Sequence, residues 1–107
     1  TPRSLVHLLR RMSEHRSRDA WLQSFPVGGV DGTLARRFTQ PPTLGNVRAK
    51  TGTLKYTGAL AGYLTNAVGT RLAFSIVANG FATNAEGPAL REEIDRWVEI
   101  LARSRVE

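Results

Sequence analysis

The run Lys50-Thr51-Gly52-Thr53 places one cation and two hydroxyls within consecutive residues of the chain. An ammonium group and hydroxyls at this spacing can hold a carboxylate through charge-assisted hydrogen bonds. Gly52 has no side chain, so the backbone of a ligand can approach the chain closely there. If the run is an edge strand, its N–H and C=O groups can pair with an extended peptide, and one N–H can face a developing oxyanion. These residues therefore suit recognition of a peptide C-terminus during acyl transfer.

The chain supplies no nucleophile to accompany this run. Lys-Thr-Gly is one of three signatures of the serine enzymes that bind penicillin, and the other two are Ser-x-x-Lys and Ser-Asp-Asn. No serine of this chain has a lysine three positions on, and none has an asparagine two positions on. The chain thus carries one wall of a possible active site. Taken alone, the run also fits an ordinary edge strand on which an exposed lysine discourages aggregation.

The two histidines do not suggest a metal site or a base. His7 and His15 lie in or near the first predicted helix, with no carboxylate at a useful spacing and no His-Glu-x-x-His pattern. The chain has no cysteine, which excludes thiolate metal ligands and disulfides and leaves the compartment open. Gly28-Gly29 lacks the strand–turn–helix setting of a phosphate-binding loop. We therefore expect no metal and no cofactor, and surface or structural roles for both histidines.

The net charge of +6 rests on arginine, which far outnumbers lysine. A basic chain could favour nucleic acid or an anionic surface. Arg10, Arg11, Arg16 and Arg18 cluster near the start, but no aromatic residues interleave with them to form a stacking platform. We therefore expect a solvated helical face and no nucleic-acid partner, with a non-catalytic basic binding module as the alternative. No apolar run approaches the ~18 residues of a membrane span, and no signal-peptide pattern is visible.

Three helices are predicted, two near the start and one at the end. Thr1 suits an N-cap and Pro2 the first helical position, and the apolar residues that follow recur on one helical face. A second, short helix is predicted over Asp19 to Phe25 and ends before a proline. The last helix begins near Pro88. Its predicted apolar stripe consists of Leu90, Ile94, Trp97, Val98 and Leu101, in which we expect Trp97 to be a core anchor against the sheet.

The middle of the chain predicts an ordered loop and then three antiparallel strands. The turn-rich segment 27–34 is the loop, in which Asp31 and Thr33 are assigned to loop structure. Strands are predicted over 47–54, 59–65 and 71–79, with a hairpin connection at 66–70 and a short link at 55–58. The third strand is nearly apolar on both faces, so we expect both faces to be covered. At 107 residues the fold class is α+β, in one domain or part of one.

Sequence blocks in a consistent order resemble one group of penicillin-binding proteins. The loop from Phe25 to Leu34 resembles a block found upstream of Lys-Thr-Gly in the class C low-molecular-mass penicillin-binding proteins, which are serine-type D-alanyl-D-alanine carboxypeptidases and endopeptidases. The runs 47–54 and 58–63 resemble their catalytic edge strand and its neighbour. Residues 74–80 are similar to the next strand, and Ile94-Asp95-Arg96 to part of the terminal helix. The segment 1–12 is similar to the helix that follows their Ser-x-Asn motif.

The resemblance implies that residues 1–107 are the C-terminal segment of one penicillin-binding, serine β-lactamase-like domain and are incomplete on their own. The family fold has a five-stranded antiparallel sheet with flanking helices, of which this chain would supply three strands. Its nucleophilic serine and the partner lysine would lie upstream and are not in this chain, and a strand from that missing part would pair with 71–79. The expected partners are peptidoglycan stem peptides, β-lactams and the missing N-terminal part of the domain. The expected location is the periplasm or another extracytoplasmic part of the cell envelope.

The resemblance also assigns roles to the Lys-Thr-Gly-Thr run. Lys50 would tune the electrostatics of the cleft, and the hydroxyls of Thr51 and Thr53 would hold the substrate carboxylate. The backbone N–H of Thr53 would form half of the oxyanion hole, and Gly52 would permit close approach. The expected catalytic residues are thus Lys50 and Thr53, and the expected substrate-binding residues are Thr51, Gly52 and Thr53. A serine β-lactamase or esterase of the same superfamily is an alternative, because it would recognise a carboxylate in the same way.

Overall fold

The computed structural model describes residues 1–54, 57–80 and 87–107, which contain the predicted helices and strands. In chain order these are α1 (Pro2–Ser13), α2 (Arg18–Gln23), a 3₁₀ turn (Gly32–Leu34), β1 (Arg48–Leu54), β2 (Thr57–Thr65), β3 (Arg71–Asn79) and α3 (Gly87–Arg103). The ends of α2 and of the three strands differ by at most two residues from those predicted, and α1 begins at Pro2 as predicted. Part of the predicted link at 55–58, namely 55–56, lies outside the described residues.

The strands form an antiparallel sheet in the order β1-β2-β3, so β1 lies at an edge. Lys50 pairs with Ala61, and Leu54 pairs with Thr57 at the end of the β1–β2 pairing. The β2–β3 hairpin is shaped by Asn66, whose side-chain oxygen accepts hydrogen bonds from the N–H groups of Val68 (3.2 Å) and Thr70 (2.9 Å). This Asx-type turn satisfies the loop backbone and sets the register of the two longer strands. The predicted α+β class with three antiparallel strands is confirmed.

The core lies between α3 and one face of the sheet. The α3 side chains Ile94 and Val98 are fully buried against Leu60, Leu64 and Phe74 of β2 and β3. The three strand residues share one face because every second residue of a strand points to the same side of the sheet. Burying each such side chain stabilises the fold by about 1.5–3 kcal/mol. On this face of β3, Phe74 is buried and Leu72, Ile76 and Ala78 are partly buried against the core.

The opposite face of the sheet is covered only in part. Helix α1 lies across it, capped by Thr1, whose side-chain oxygen accepts the N–H of Ser4 at 3.2 Å. Leu9 is buried to 1% exposure, but Leu5 and Leu8 remain 37% and 47% exposed. Val77 of β3 is 51% exposed on this face. The expectation that both faces of β3 are covered therefore holds only in part, better for the face against α3 than for the face against α1.

The prediction that Trp97 anchors the core is wrong, because its side chain is 55% exposed. The buried stripe of α3 runs through Leu90, Ile94, Val98 and Ala102, each four residues from the next. Steps of four advance about 40° around an α-helix, so this stripe drifts away from position 97 toward the C-terminus. Trp97 therefore stands on the flank of α3 beside the buried stripe.

The loop between α2 and β1 is ordered by polar contacts. The Asp31 carboxylate accepts the backbone N–H of Val27 at 2.7 Å, which confirms its structural role in the loop. Arg37 forms an ion pair with Asp95 of α3, in which the guanidinium Nε donates to the carboxylate at 3.2 Å. The Arg37 guanidinium also lies 5.4 Å from the ring centre of Phe38. The loop is thereby tied to α3 and supports the strand that follows it.

Candidate active site

The second half of β1 presents backbone groups at the edge of the sheet. Upstream, the N–H of Ala49 donates to the carbonyl of Pro26 (3.1 Å) and the carbonyl of Val47 accepts from Gly28 (2.7 Å), both on the side away from β2. Residues two apart along a strand direct their backbone groups the same way. The N–H groups of Thr51 and Thr53 therefore also point away from β2. In the part of the chain that the structure describes, no acceptor is bonded to this N–H of Thr51.

Lys50 reaches the same edge with its side chain. It is exposed, and its Nζ donates to the carbonyl of Thr51 at 3.2 Å, a group that faces outward from the edge. Its partner Ala61 lies on the sheet face that α1 crosses, so the Lys50 side chain leaves the strand on that face. The ammonium group thus stands next to the outward backbone groups of the strand. An anion at this edge could contact the cation and an N–H donor together.

Thr51 lies on the other side of the strand from Lys50. Thr51 shares its face with Ala49, which belongs to the buried core cluster. The backbone of Thr53 belongs to β1, and its hydroxyl lies outside the described part. A carboxylate that contacts both Lys50 and Thr51 must therefore sit beyond the strand edge, not over one face of the sheet. This is also where an extended peptide would pair with the strand.

A groove of ≈ 750 Å³ adjoins Lys50 and runs between β1 and α1. Its walls are mostly apolar, and the cation stands at its β1 wall. Gly52 widens it, because a Cβ at this position would meet only the Cβ of Ala59 at 3.7 Å. Its lining includes Thr1, Ser4 and Leu5 of α1, Trp21 of α2, and Lys50 and Gly52 of β1.

An aromatic cluster at this groove was not predicted from the sequence. Tyr63 of β2 is 3% exposed, and its hydroxyl donates to the carbonyl of Leu9 and accepts from Trp21 Nε1 at 2.9 Å. Phe25 stacks on the Tyr63 ring at 6.0 Å between ring centres. Burial raises the pKa of Tyr63 above its ordinary value, although the Trp21 hydrogen bond and the charge of Arg71 act in the opposite direction. The partners are far apart in sequence, so no local pattern indicates the cluster.

The remaining titratable residues do not assemble a second chemical site among the described residues. His7 is exposed, and His15 uses its Nδ1 to accept the N–H of Ser17 at 3.0 Å. No group of His, Asp or Glu within residues 1–54, 57–80 and 87–107 is arranged to hold a metal ion. The arginines near the start are exposed, as the sequence predicts. No helix of the described chain is long and apolar enough to cross a membrane.

Comparison with solved structures defines the class of fold. Penicillin binding protein 4 (dacB) of Haemophilus influenzae superposes with a TM-score of 0.83 at 31% identity, over 97% of this chain and 24% of that chain. The crystal structure of the same protein in complex with a β-lactam matches with a TM-score of 0.77 at 32% identity, over 94% of this chain and 25% of that chain. The fold is therefore that of part of a penicillin-binding protein.

The sequence comparisons define the family. The profile of the D-Ala-D-Ala carboxypeptidase 3 (S13) family matches residues 1–101, and the chain belongs to this family. The D-alanyl-D-alanine carboxypeptidase DacB of Haemophilus influenzae is 38% identical over 84 residues, which are 77% of this chain and 18% of that protein. A D-alanyl-D-alanine carboxypeptidase of Actinomadura sp. is 40% identical over 94 residues, which are 83% of this chain and 16% of that protein. The chain thus spans less than a fifth of the length of these relatives.

Proposed function

We propose that residues 1–107 are the C-terminal segment of a penicillin-binding, transpeptidase-like domain, and that the intact protein is a serine-type D-Ala-D-Ala carboxypeptidase and endopeptidase. Family membership and the names of the relatives support the activity. The chain spans only a small part of the length of those relatives, which supports the view that further parts of the domain complete the site. In this proposal the chain alone is inactive, because it contains no Ser-x-x-Lys.

The reaction would be acyl transfer in two steps. A serine outside these residues attacks the carbonyl carbon between the last two D-alanines of a stem peptide, and the terminal D-alanine leaves as the amine takes up a proton. Water then attacks the resulting ester, which releases the shortened peptide and regenerates the serine. A β-lactam would acylate the same serine when its ring amide bond opens. Peptidoglycan stem peptides as substrates imply an extracytoplasmic location in the cell envelope.

The residues of β1 would bind and polarise the substrate. Lys50 attracts the terminal carboxylate and makes the potential of the cleft positive, and the hydroxyls of Thr51 and Thr53 donate to the same carboxylate. The Thr53 N–H donates to the oxygen that becomes negatively charged in the tetrahedral intermediate. Gly52 leaves room for the peptide backbone. Lys50 and Thr53 are the proposed catalytic residues in this chain, and Thr51, Gly52 and Thr53 the proposed substrate-binding residues.

One observation carries the proposal more than any other. The Lys50 ammonium lies within 3.2 Å of an outward-facing carbonyl on an edge strand, beside a groove large enough for an extended peptide. A cation, edge N–H donors and a groove are the three features that capture of a peptide carboxylate requires.

The test is acylation of the full-length protein by a fluorescent penicillin. We expect a covalent adduct that survives denaturing electrophoresis, and no adduct on residues 1–107 alone. Lys50→Ala should slow acylation by about 10- to 100-fold, which corresponds to a charge-assisted hydrogen bond of about 1.5–3 kcal/mol. Lys50→Arg is the matched control because it retains the charge, and it should be less impaired.

The outcomes separate the proposed function from its alternatives. An intact protein that takes no label would contradict the proposal. Rapid release of hydrolysed penicillin, instead of a long-lived adduct, would indicate a serine β-lactamase or esterase. If the wild type is labelled and Lys50→Ala is labelled at the same rate, the proposed activity would hold but Lys50 would have no role in it.

A further inference from the structure

The Tyr63 hydroxyl joins three elements at one buried point. It donates to the carbonyl of Leu9 in α1, accepts from the indole of Trp21 in α2 at 2.9 Å, and belongs to β2. A phenol whose donor and acceptor are both in use has its hydroxyl direction fixed. Stacking on Phe25 fixes the ring as well. The contact is therefore directional, in addition to the apolar area that it buries.

This junction lies close to Lys50 along the sheet. Lys50 pairs with Ala61, and Tyr63 follows on the same face of β2 about 7 Å farther along the strand. The first turn of α1, with Thr1 and Ser4, lines the same groove as Lys50. The groove is thus bounded by β1 on one side and by α1 on the other, and Tyr63 joins the sheet to α1.

The hydrogen bond between Tyr63 and Leu9 lies far from the N-terminal end of α1. Leu9 lies eight residues from Thr1, which is about 12 Å along the helix axis. A rotation of about 10° around the junction would therefore move the first turn by roughly 2 Å. Displacements of about 1 Å in catalytic geometry can cost roughly a hundredfold in rate.

The apolar side chains of α1 differ in how far they are buried within the described structure. Leu5 and Leu8 are 37% and 47% exposed, whereas Leu9 at the junction is 1% exposed. Leu5 near the first turn is thus packed less tightly than the helix at Leu9, where the Tyr63 hydrogen bond adds a directional contact to the burial. A change at that hydrogen bond can therefore alter the angle of α1 and the width of the groove at Lys50.

We propose that Tyr63 is a positioning residue for acyl transfer, because its hydroxyl holds α1 at the angle that keeps the groove open beside Lys50. This inference rests on the proposed function. Trp21 fixes the direction of the Tyr63 hydroxyl, because its indole N–H donates to the hydroxyl oxygen. Trp21 also lines the groove, and neither residue contacts the reacting atoms in this proposal.

The test compares acylation kinetics of full-length variants. Tyr63→Phe removes only the oxygen and retains the ring that stacks on Phe25. We expect its maximal rate of acylation by a labelled penicillin to fall about 10- to 100-fold, because misplaced catalytic geometry costs up to about a hundredfold. The penicillin concentration that gives the half-maximal rate should change less. Trp21→Phe should have an intermediate effect, because it leaves the bond from Tyr63 to Leu9 in place.

A matched control distinguishes positioning from general loss of stability. Val98→Ala creates a cavity in the core on the other face of the sheet, away from the groove. It should lower the melting temperature at least as much as Tyr63→Phe while the acylation rate stays near that of the wild type. If Tyr63→Phe does not fold, Trp21→Phe provides a second comparison, because it removes the N–H that fixes the Tyr63 hydroxyl, and an acylation loss no greater than that of Val98→Ala would contradict the role.

Two outcomes overturn the inference by different routes. Wild-type acylation rates in both aromatic variants, or losses no greater than that of Val98→Ala, would remove the positioning role and leave the proposed function intact. A wild-type protein that takes no label at all would overturn the function, and this inference with it.

Discussion

At Gly52, an added methyl group should affect acylation but not the stability of the fold. A Cβ there would meet only Ala59 at 3.7 Å, an ordinary contact, so the strand itself accepts a methyl group. That methyl would project into the groove next to Lys50. We expect Gly52→Ala in the full-length protein to keep or slightly raise the free energy of unfolding, by up to about 1 kcal/mol. Acylation by a labelled penicillin should nevertheless slow at least about tenfold.

Gly62 on the neighbouring strand is the matched control for this prediction. A Cβ at Gly62 would lie 2.0 Å from the Arg48 carbonyl oxygen and 2.6 Å from the Ala49 Cα. Backbone atoms must move to admit it, so Gly62→Ala should lower the free energy of unfolding by about 1–3 kcal/mol or more. Acylation at the wild-type rate in Gly52→Ala would contradict a ligand backbone approaching that position.

Tyr63 provides a prediction about pH. Burial raises its pKa above the ordinary value of 10.0, so the unfolded chain loses the phenol proton first as the pH rises. The stability that the neutral phenol contributes is therefore fully present below about pH 10 and is lost as the pH rises through the higher folded pKa. We expect the difference in free energy of unfolding between wild type and Tyr63→Phe to be constant from about pH 7 to 9. Above about pH 10 that difference should shrink, by at most about 1.4 kcal/mol per pH unit, when it is measured by denaturant titration. A difference that stays flat to pH 11 would contradict it.

At the level of elements, one ion pair ties the loop before β1 to α3. The side chains of Arg37 and Asp95 are only 13% and 31% exposed, whereas those of Arg103 and Glu99 on the same helix are 63% and 48% exposed. We expect a double-mutant cycle with Arg37→Met and Asp95→Asn to give a coupling free energy of about 1–3 kcal/mol. The cycle at Glu99 and Arg103 should give about 0.3–0.5 kcal/mol. Equal couplings from chemical denaturation would show that the loop is not held by this pair.

The order and type of the elements could be predicted because each carries a local signal. Thr1-Pro2 marks the start of α1, and the period of two in 71–79 marks β3. The short connections at 55–58 and 66–70 indicate which strands are neighbours, whereas the position of β1 at a catalytic edge follows from a resemblance. The side of α3 that faces the sheet was predicted only roughly: Trp97 lies within about 60° of the buried Ile94 on a helical wheel, and the shape of the sheet decides which flank is covered.

The site was only partly predictable for the same reason. Lys50 to Thr53 are consecutive, so their chemistry can be read from the sequence. The opposite wall of the groove depends on contacts from Tyr63 to Trp21 and to Leu9, which lie 42 and 54 residues away. Such pairs depend on how α1 and α2 pack on the sheet. Sequence periodicity says nothing about that packing.

At the scale of the whole molecule, the described chain is compact and yet has apolar side chains at its surface. The radius of gyration is 13.5 Å, close to the about 13 Å expected for a domain of this length. Val77, Trp97 and Ile100 are each more than half exposed, and β3 is the other outer strand of the described sheet. An outer strand with apolar side chains invites pairing with another chain. In the proposed domain, sequence beyond these residues would cover that side.

This arrangement predicts how the 107 residues behave when they are expressed by themselves. We expect concentration-dependent self-association or poor solubility, because β3 can pair with β3 of a second copy while Val77 and Trp97 become buried. Val77→Lys should shift the population toward monomer, since a charge on an outer strand opposes such pairing. Val30→Lys changes a valine of similar exposure in the loop and should not shift it. Sedimentation velocity across a hundredfold range of concentration measures the difference. A monodisperse wild-type monomer that unfolds cooperatively would contradict the prediction, and it would also count against the view that residues 1–107 are an incomplete part of a larger domain.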